Sequence, residues 1–73
     1  MKTYLLVWFN SEGRKSSEIT KRLTGLGFKV TKGAYDYEYD WKRNADLEEI
    51  FSLSDKVHET LRGCNAYFKV ESQ

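Results

Sequence analysis

The sequence predicts an α+β domain in which a four-stranded antiparallel sheet carries two helices on one face. Three observations lead there. From Tyr35 to Trp41 four aromatic residues alternate with three acids, and only a β-strand sorts a period of two onto opposite faces. Thr3 to Phe9 is apolar on both parities, as suits a central strand with both faces largely covered. Two other segments repeat apolar residues at helical spacing, and strand-like runs flank each of them. The order is βαββαβ, in one domain spanning residues 1–73.

The first strand, Thr3 to Phe9, stops at the turn-forming Asn10-Ser11-Glu12-Gly13. Leu5, Val7 and Phe9 are expected inward, because Tyr4 and Trp8 tolerate a half-wet face. The first helix begins between Arg14 and Ser17 and ends at Leu26, with Ser11, Ser16 and Ser17 as candidate caps. Ile19, Leu23 and Leu26 form its narrow apolar stripe, and Gly27 suits the left-handed position beyond it. Phe28 to Thr31 is the second strand, with Phe28 and Val30 expected inward. Lys32-Gly33 then turns the chain into the third strand, residues 34–41. Its acids cannot be buried unpaired, so Tyr35, Tyr37, Tyr39 and Trp41 are expected inward and Asp36, Glu38 and Asp40 outward.

Asp46 with Glu49 three residues on is a capping-box pattern, Asn44 being the alternative cap. Leu47, Ile50, Phe51, Ser54, Val57, His58 and Leu61 follow helical spacing, Arg62 sits in the last turn and Gly63 ends the helix. Ser52 and Ser54 are weak helix formers that allow a kink. The last strand, Ala66 to Glu71, places Ala66, Phe68 and Val70 on one side and Tyr67, Lys69 and Glu71 on the other.

This order of elements resembles the ferredoxin-like plait, and the resemblance covers the whole chain. It implies a sheet with the first and third strands central, the second and fourth at the edges, and right-handed crossovers through the helices. The plait hosts many unrelated functions, so function has to come from particular residues.

A chain of 73 residues buries only about 60% of its unfolded surface, which predicts modest stability. The single cysteine excludes an internal disulfide and any multi-cysteine zinc site, and no apolar run is long enough to span a membrane. A cytoplasmic setting is expected. The net charge of +1 is too balanced to imply nucleic acid by itself. Its distribution is uneven: residues 1–34 hold seven Lys or Arg against two acids, and residues 35–73 hold five against nine. Packed side by side, a basic first helix and an acidic second helix would attract each other modestly.

Several surfaces invite a functional reading. The RNA-recognition motif, also a plait, stacks bases on aromatics of its central strands, but here Asp36, Glu38 and Asp40 would repel phosphate from that platform. Nucleic acid would instead have to meet Lys21, Arg22, Lys29 and Lys32, although a solvated basic flank is the commoner explanation of such residues. A metal site in the acidic row is disfavoured, since carboxylates two residues apart on a strand are about 6.5–7 Å apart; solvated charges set against Lys69 or Lys29 on adjacent strands explain the row better. Gly13-Arg14-Lys15-Ser16-Ser17 combines cations, hydroxyls and N–H groups before a helix, as an anion site or small-ligand regulatory site would, without the spacing of a phosphate-binding loop. It also lacks the glycine- and arginine-bearing loop of the acylphosphatases, which share the plait. His58 and Cys64 have no nucleophile–base–orienter arrangement around them, so no catalytic residue and no cofactor are expected. There remains the sheet face away from the helices, where Tyr4, Leu6, Trp8 and Tyr67 form an apolar strip suited to a second copy of the chain or to a protein partner.

Overall fold

In the computed structural model, which describes residues 1–73, the apolar N-terminal run is β1 (Lys2–Trp8), and it is hydrogen-bonded on both sides. There follow α1 (Ser16–Leu26), β2 (Lys29–Val30), β3 (Tyr37–Asp40), α2 (Leu47–Thr60) and β4 (Tyr67–Ser72). The sheet order is β2-β3-β1-β4 with every neighbouring pair antiparallel, so the first and third strands are central and the second and fourth are edges, as expected.

The core lies between the sheet and the helices. Leu5 and Val7 of β1, Phe28 and Tyr37 meet Ile19 and Leu23 of α1 and Leu53, Val57 and Leu61 in or just beyond α2, with Cys64 closing one end. Tyr39 and Trp41 pack against this cluster, so the aromatic parity of the third strand holds from Tyr37 to Trp41. Two polar groups on this face find partners: the Tyr37 hydroxyl shares a 2.7 Å hydrogen bond with Thr20, and the Trp41 indole N–H donates to Thr3 Oγ1 at 2.8 Å. Thr3 in turn bonds Ser72 across β1 and β4 at 2.8 Å.

The ends of the elements depart from the expected positions. Phe9 lies beyond β1 and is 46% exposed, not inward. Val30 pairs across from Tyr37 and shares its face, but it sits at the rim of the sheet and is 63% exposed. β2 is only two residues long, and the tight turn at Lys32-Gly33 is instead a wider loop closed by a bond from the Thr31 N–H to the Asp36 carbonyl. The third strand starts at Tyr37 because Asp36 is used differently. Its N–H donates to the Leu5 carbonyl while its carboxylate accepts the Val7 N–H at 2.9 Å, so a side chain takes over the ladder's acceptor. That irregularity turns Tyr35 onto the face opposite the helices.

α1 starts at Ser16 with Lys15 as its N-cap and no side-chain cap, so none of the three serines fills that role. Gly27 takes the left-handed position, φ 118°, where a Cβ would lie 2.9 Å from the Tyr39 ring. The capping box on α2 forms as expected, with the Glu49 N–H donating to Asp46 at 2.8 Å and the Asp46 N–H donating back to Glu49 at 3.2 Å. α2 then runs through Ser52 and Ser54 without interruption. Where the helices meet, the polar contact is not carboxylate to cation. Arg22 donates to the Thr60 carbonyl at the end of α2 and pairs with Glu18 of its own helix at 3.4 Å. It thus serves an orphan carbonyl where the helix dipole is negative.

Two crossover loops are joined at one end of the sheet. The Arg14 N–H donates to the Cys64 carbonyl at 3.1 Å, and a Cβ on Gly13 would stand 2.3 Å from that same oxygen. Gly13 is therefore required by close backbone approach. By contrast, Gly25 in α1 has open space around it. Chemical denaturation should show Gly13→Ala destabilised by at least about 1–3 kcal/mol, as an overpacked site is. Gly25→Ala should be more stable by about 0.4–1 kcal/mol, since alanine narrows the unfolded ensemble and favours helix.

At the corner between β3 and α2, Arg43 lies over the Trp41 ring, 5.7 Å from its centroid, and its guanidinium bonds Glu49. That bond, with the Asp46 N–H, holds the Glu49 carboxyl down at about 2. A folded value below the unfolded one adds stability above the ordinary carboxylate range, and this is lost as pH falls toward about 2. An NMR titration should place the Glu49 midpoint near 2, and in Arg43→Gln it should rise toward 4.5, the ordinary value.

Candidate functional site: the open face of the sheet

Alternation along β1 sends Lys2, Tyr4, Leu6 and Trp8 away from the helices. The register then assigns their neighbours. On β3, Asp40 stands opposite Lys2 and Glu38 opposite Tyr4. On β4, Glu71 stands opposite Tyr4, Lys69 opposite Leu6 and Tyr67 opposite Trp8. Lys29 of β2 faces Glu38. No helix covers this face.

Tyr4, Leu6, Trp8 and Tyr67, the strip read from the sequence, thus share one surface. Trp8 is 53% exposed and Tyr67 72%, and as directly opposed residues on neighbouring strands they make one apolar platform near the end of β1. Toward the other end Tyr35 joins them, its ring stacked on Tyr4 at 4.5 Å and 19°. Sequence periodicity assigns Tyr35 to the core, and the structure places it on the open face. No sequence signal marks the switch, since it depends on the Asp36 carboxylate replacing a main-chain acceptor.

The acids expected in a row do not act as one. Asp36 is spent on the Val7 N–H, and Asp40 accepts the Lys42 N–H at 2.9 Å. Glu38 pairs with Lys2 at 3.3 Å, which raises the lysine pKa through the hydrogen bond and the carboxylate charge. Glu71 accepts both the Tyr35 hydroxyl and Lys69, the latter at 3.3 Å. No group of three His, Cys, Asp or Glu side chains is placed to hold a metal ion.

The basic residues are not gathered on one surface. Arg14 and Arg22 both turn to Glu18 on α1, at 3.9 and 3.4 Å. Lys15 is the exposed cap of α1 and Lys21 is exposed on the helix itself. Lys29 points to the open face, across the sheet from α1, and Lys32 is exposed in the following loop. Gly13 to Ser17 line an open hollow with Phe9, Asn10 and Ser11, but Gly13 is accounted for by its contact with Cys64. His58 is exposed on α2, and Cys64 is fully buried. No helix is long and apolar enough to cross a membrane. No protein-family model, curated protein or solved structure matches the chain.

The Tyr35–Glu71 bond gives the face a measurable signature. Donating to Glu71 raises the Tyr35 pKa, and accepting from Tyr35, then from Lys69, lowers that of Glu71. The tyrosine's contribution to stability is complete below its unfolded value and is lost as pH rises through the folded one. That of Glu71 is present above the ordinary carboxylate range and is lost as pH falls through its depressed value. In an ultraviolet titration of the native protein, one tyrosine should ionise later than an ordinary tyrosine, and Glu71→Gln should shorten that delay.

Proposed function

We propose that the chain is a ferredoxin-like plait serving as a small, non-enzymatic interaction module that self-associates through its open sheet face. The plait is supported by the strand order β2-β3-β1-β4 and by a single core that both helices share with one side of the sheet. The observation that carries the function is the opposed pair Trp8 and Tyr67, two large aromatics left mostly in water on a face that no element covers. Aromatics of this kind are enriched where proteins meet, and burying them supplies most of the energy of such contacts.

Charge supports a second copy as the partner. The face carries Lys2, Lys29 and Lys69 against Glu38, Asp40 and Glu71, a balanced set that does not repel its own kind. A phosphate backbone would gain little from it, because nucleic-acid affinity grows with net positive charge.

Sedimentation at micromolar to high micromolar concentration should reveal reversible self-association. Trp8→Ala with Tyr67→Ala should weaken contact through this face by about tenfold or more, as interface aromatics do, read from the concentration dependence of the Leu6 methyl signals, while stability changes by no more than about 0.5 kcal/mol per exposed site. A strict monomer throughout that range would refute self-association.

A further inference from the structure

β4 ends the sheet and pairs only with β1, so one of its sides is an open edge six residues long, without proline or bulge. The other edge, β2, is two residues long. Natural sheets shorten, charge or cover such an edge to keep other strands off it. β2 is protected by its shortness, whereas β4 is full length and carries only Lys69 as a guard, with Glu71 of opposite charge two residues on.

The hydrogen bonds show which groups are free. Lys2 and Gln73 exchange both of their backbone bonds at 2.9 Å, so they form a hydrogen-bonded pair of the antiparallel ladder. Such pairs alternate, which makes Tyr4–Glu71, Leu6–Lys69 and Trp8–Tyr67 hydrogen-bonded pairs as well. The backbone groups of Tyr67, Lys69 and Glu71 are therefore turned toward β1. Those of Phe68, Val70 and Ser72 point out of the sheet.

We propose that β4 adds antiparallel to β4 of a second copy, with the two-fold axis at Val70, joining two sheets into one of eight strands. In this register Val70 faces Val70 of the partner subunit and Phe68 faces Ser72 of the partner subunit. Outward groups meet only outward groups, for about six new backbone hydrogen bonds. The same register sets Lys69 opposite Glu71 of the partner subunit, and Glu71 opposite Lys69 of the partner subunit, at non-hydrogen-bonded positions where side chains come closest. Sliding one strand by two residues destroys this match. One slide opposes lysine to lysine, and the slide the other way opposes glutamate to glutamate. Lys69 alone would guard the edge; with Glu71 two residues on, it admits one antiparallel partner in one register.

This contact uses the rim of the sheet and does not depend on the face-to-face association proposed above. Amide exchange separates the two. Lys69 and Glu71 N–H groups, bonded to β1, should be protected at every concentration, whereas those of Phe68, Val70 and Ser72 should become protected only as concentration rises. Lys69→Glu alone places four carboxylates together at the junction, and Glu71→Lys alone places four ammonium groups there. Each variant should self-associate about tenfold more weakly than the parent or worse. Mixed in equal amounts, they restore every opposite pair and should associate at least as well as the parent. The Trp8→Ala/Tyr67→Ala protein should keep the concentration-dependent protection. A protein that stays monomeric, a dimer without the alternating protection, or a mixture no better than its components would each overturn the edge pairing.

Discussion

Leu5 and Val7 point at the helices, and most other placements follow from that. Because β1 is bonded on both sides, its parity passes through the register to β3 and β4 and fixes which of their side chains meet water. A slip of one residue would bury Lys2, Tyr4 and Trp8 and expose Leu5 and Val7, exchanging an apolar core for a charge in a dry interior. The register is pinned at one end by Thr3, the only buried polar residue, which accepts from the Trp41 indole and bonds Ser72, tying three strands' worth of chain at one point. At the other end the Asp36 carboxylate holds the Val7 N–H.

What the sequence could reveal is what its periodicities encode. The alternation from Tyr37 to Trp41 specifies a face, and the reciprocal Asp46–Glu49 pattern specifies a helix start, because in both cases side-chain chemistry and backbone geometry agree. Where one replaces the other, the pattern misleads. Asp36 acts as a piece of main chain, so the count of two fails at Tyr35, and an aromatic assigned to the core lands on the opposite face. Phe9 and Val30 fail for another reason: parity says which way a side chain points, not whether a helix extends far enough to cover it. Lys15 caps α1 with no side-chain bond, which leaves no signature to read.

The candidate site was legible to a similar degree. The apolar residues of the open face are those that β1 and β4 alternation assigns, whereas the lysines that meet the acids are not the expected ones: Glu38 pairs with Lys2, and Lys69 with Glu71. One lysine reaches diagonally from the neighbouring strand and the other lies two residues away on the same strand. Lys2 and Lys69 take up Glu38 and Glu71, so the surface is a patchwork of pairs around aromatic rings. The unequal charge of the two halves of the sequence is likewise dispersed: α1 answers its own arginines with Glu18, and the helices touch through Arg22 and a carbonyl.

The two tryptophans sit on opposite sides of the sheet. Trp41 is packed beside Tyr39 with its indole N–H committed to Thr3, whereas Trp8 stands half in water on the uncovered face. Their emission is thereby divided between two events. Loss of the core moves Trp41 into water and shifts its fluorescence to the red, while contact with another molecule dries Trp8 and shifts its fluorescence to the blue. The protein thus carries its own optical reporters of folding and of association, distinguishable by the direction of the shift and requiring no added dye.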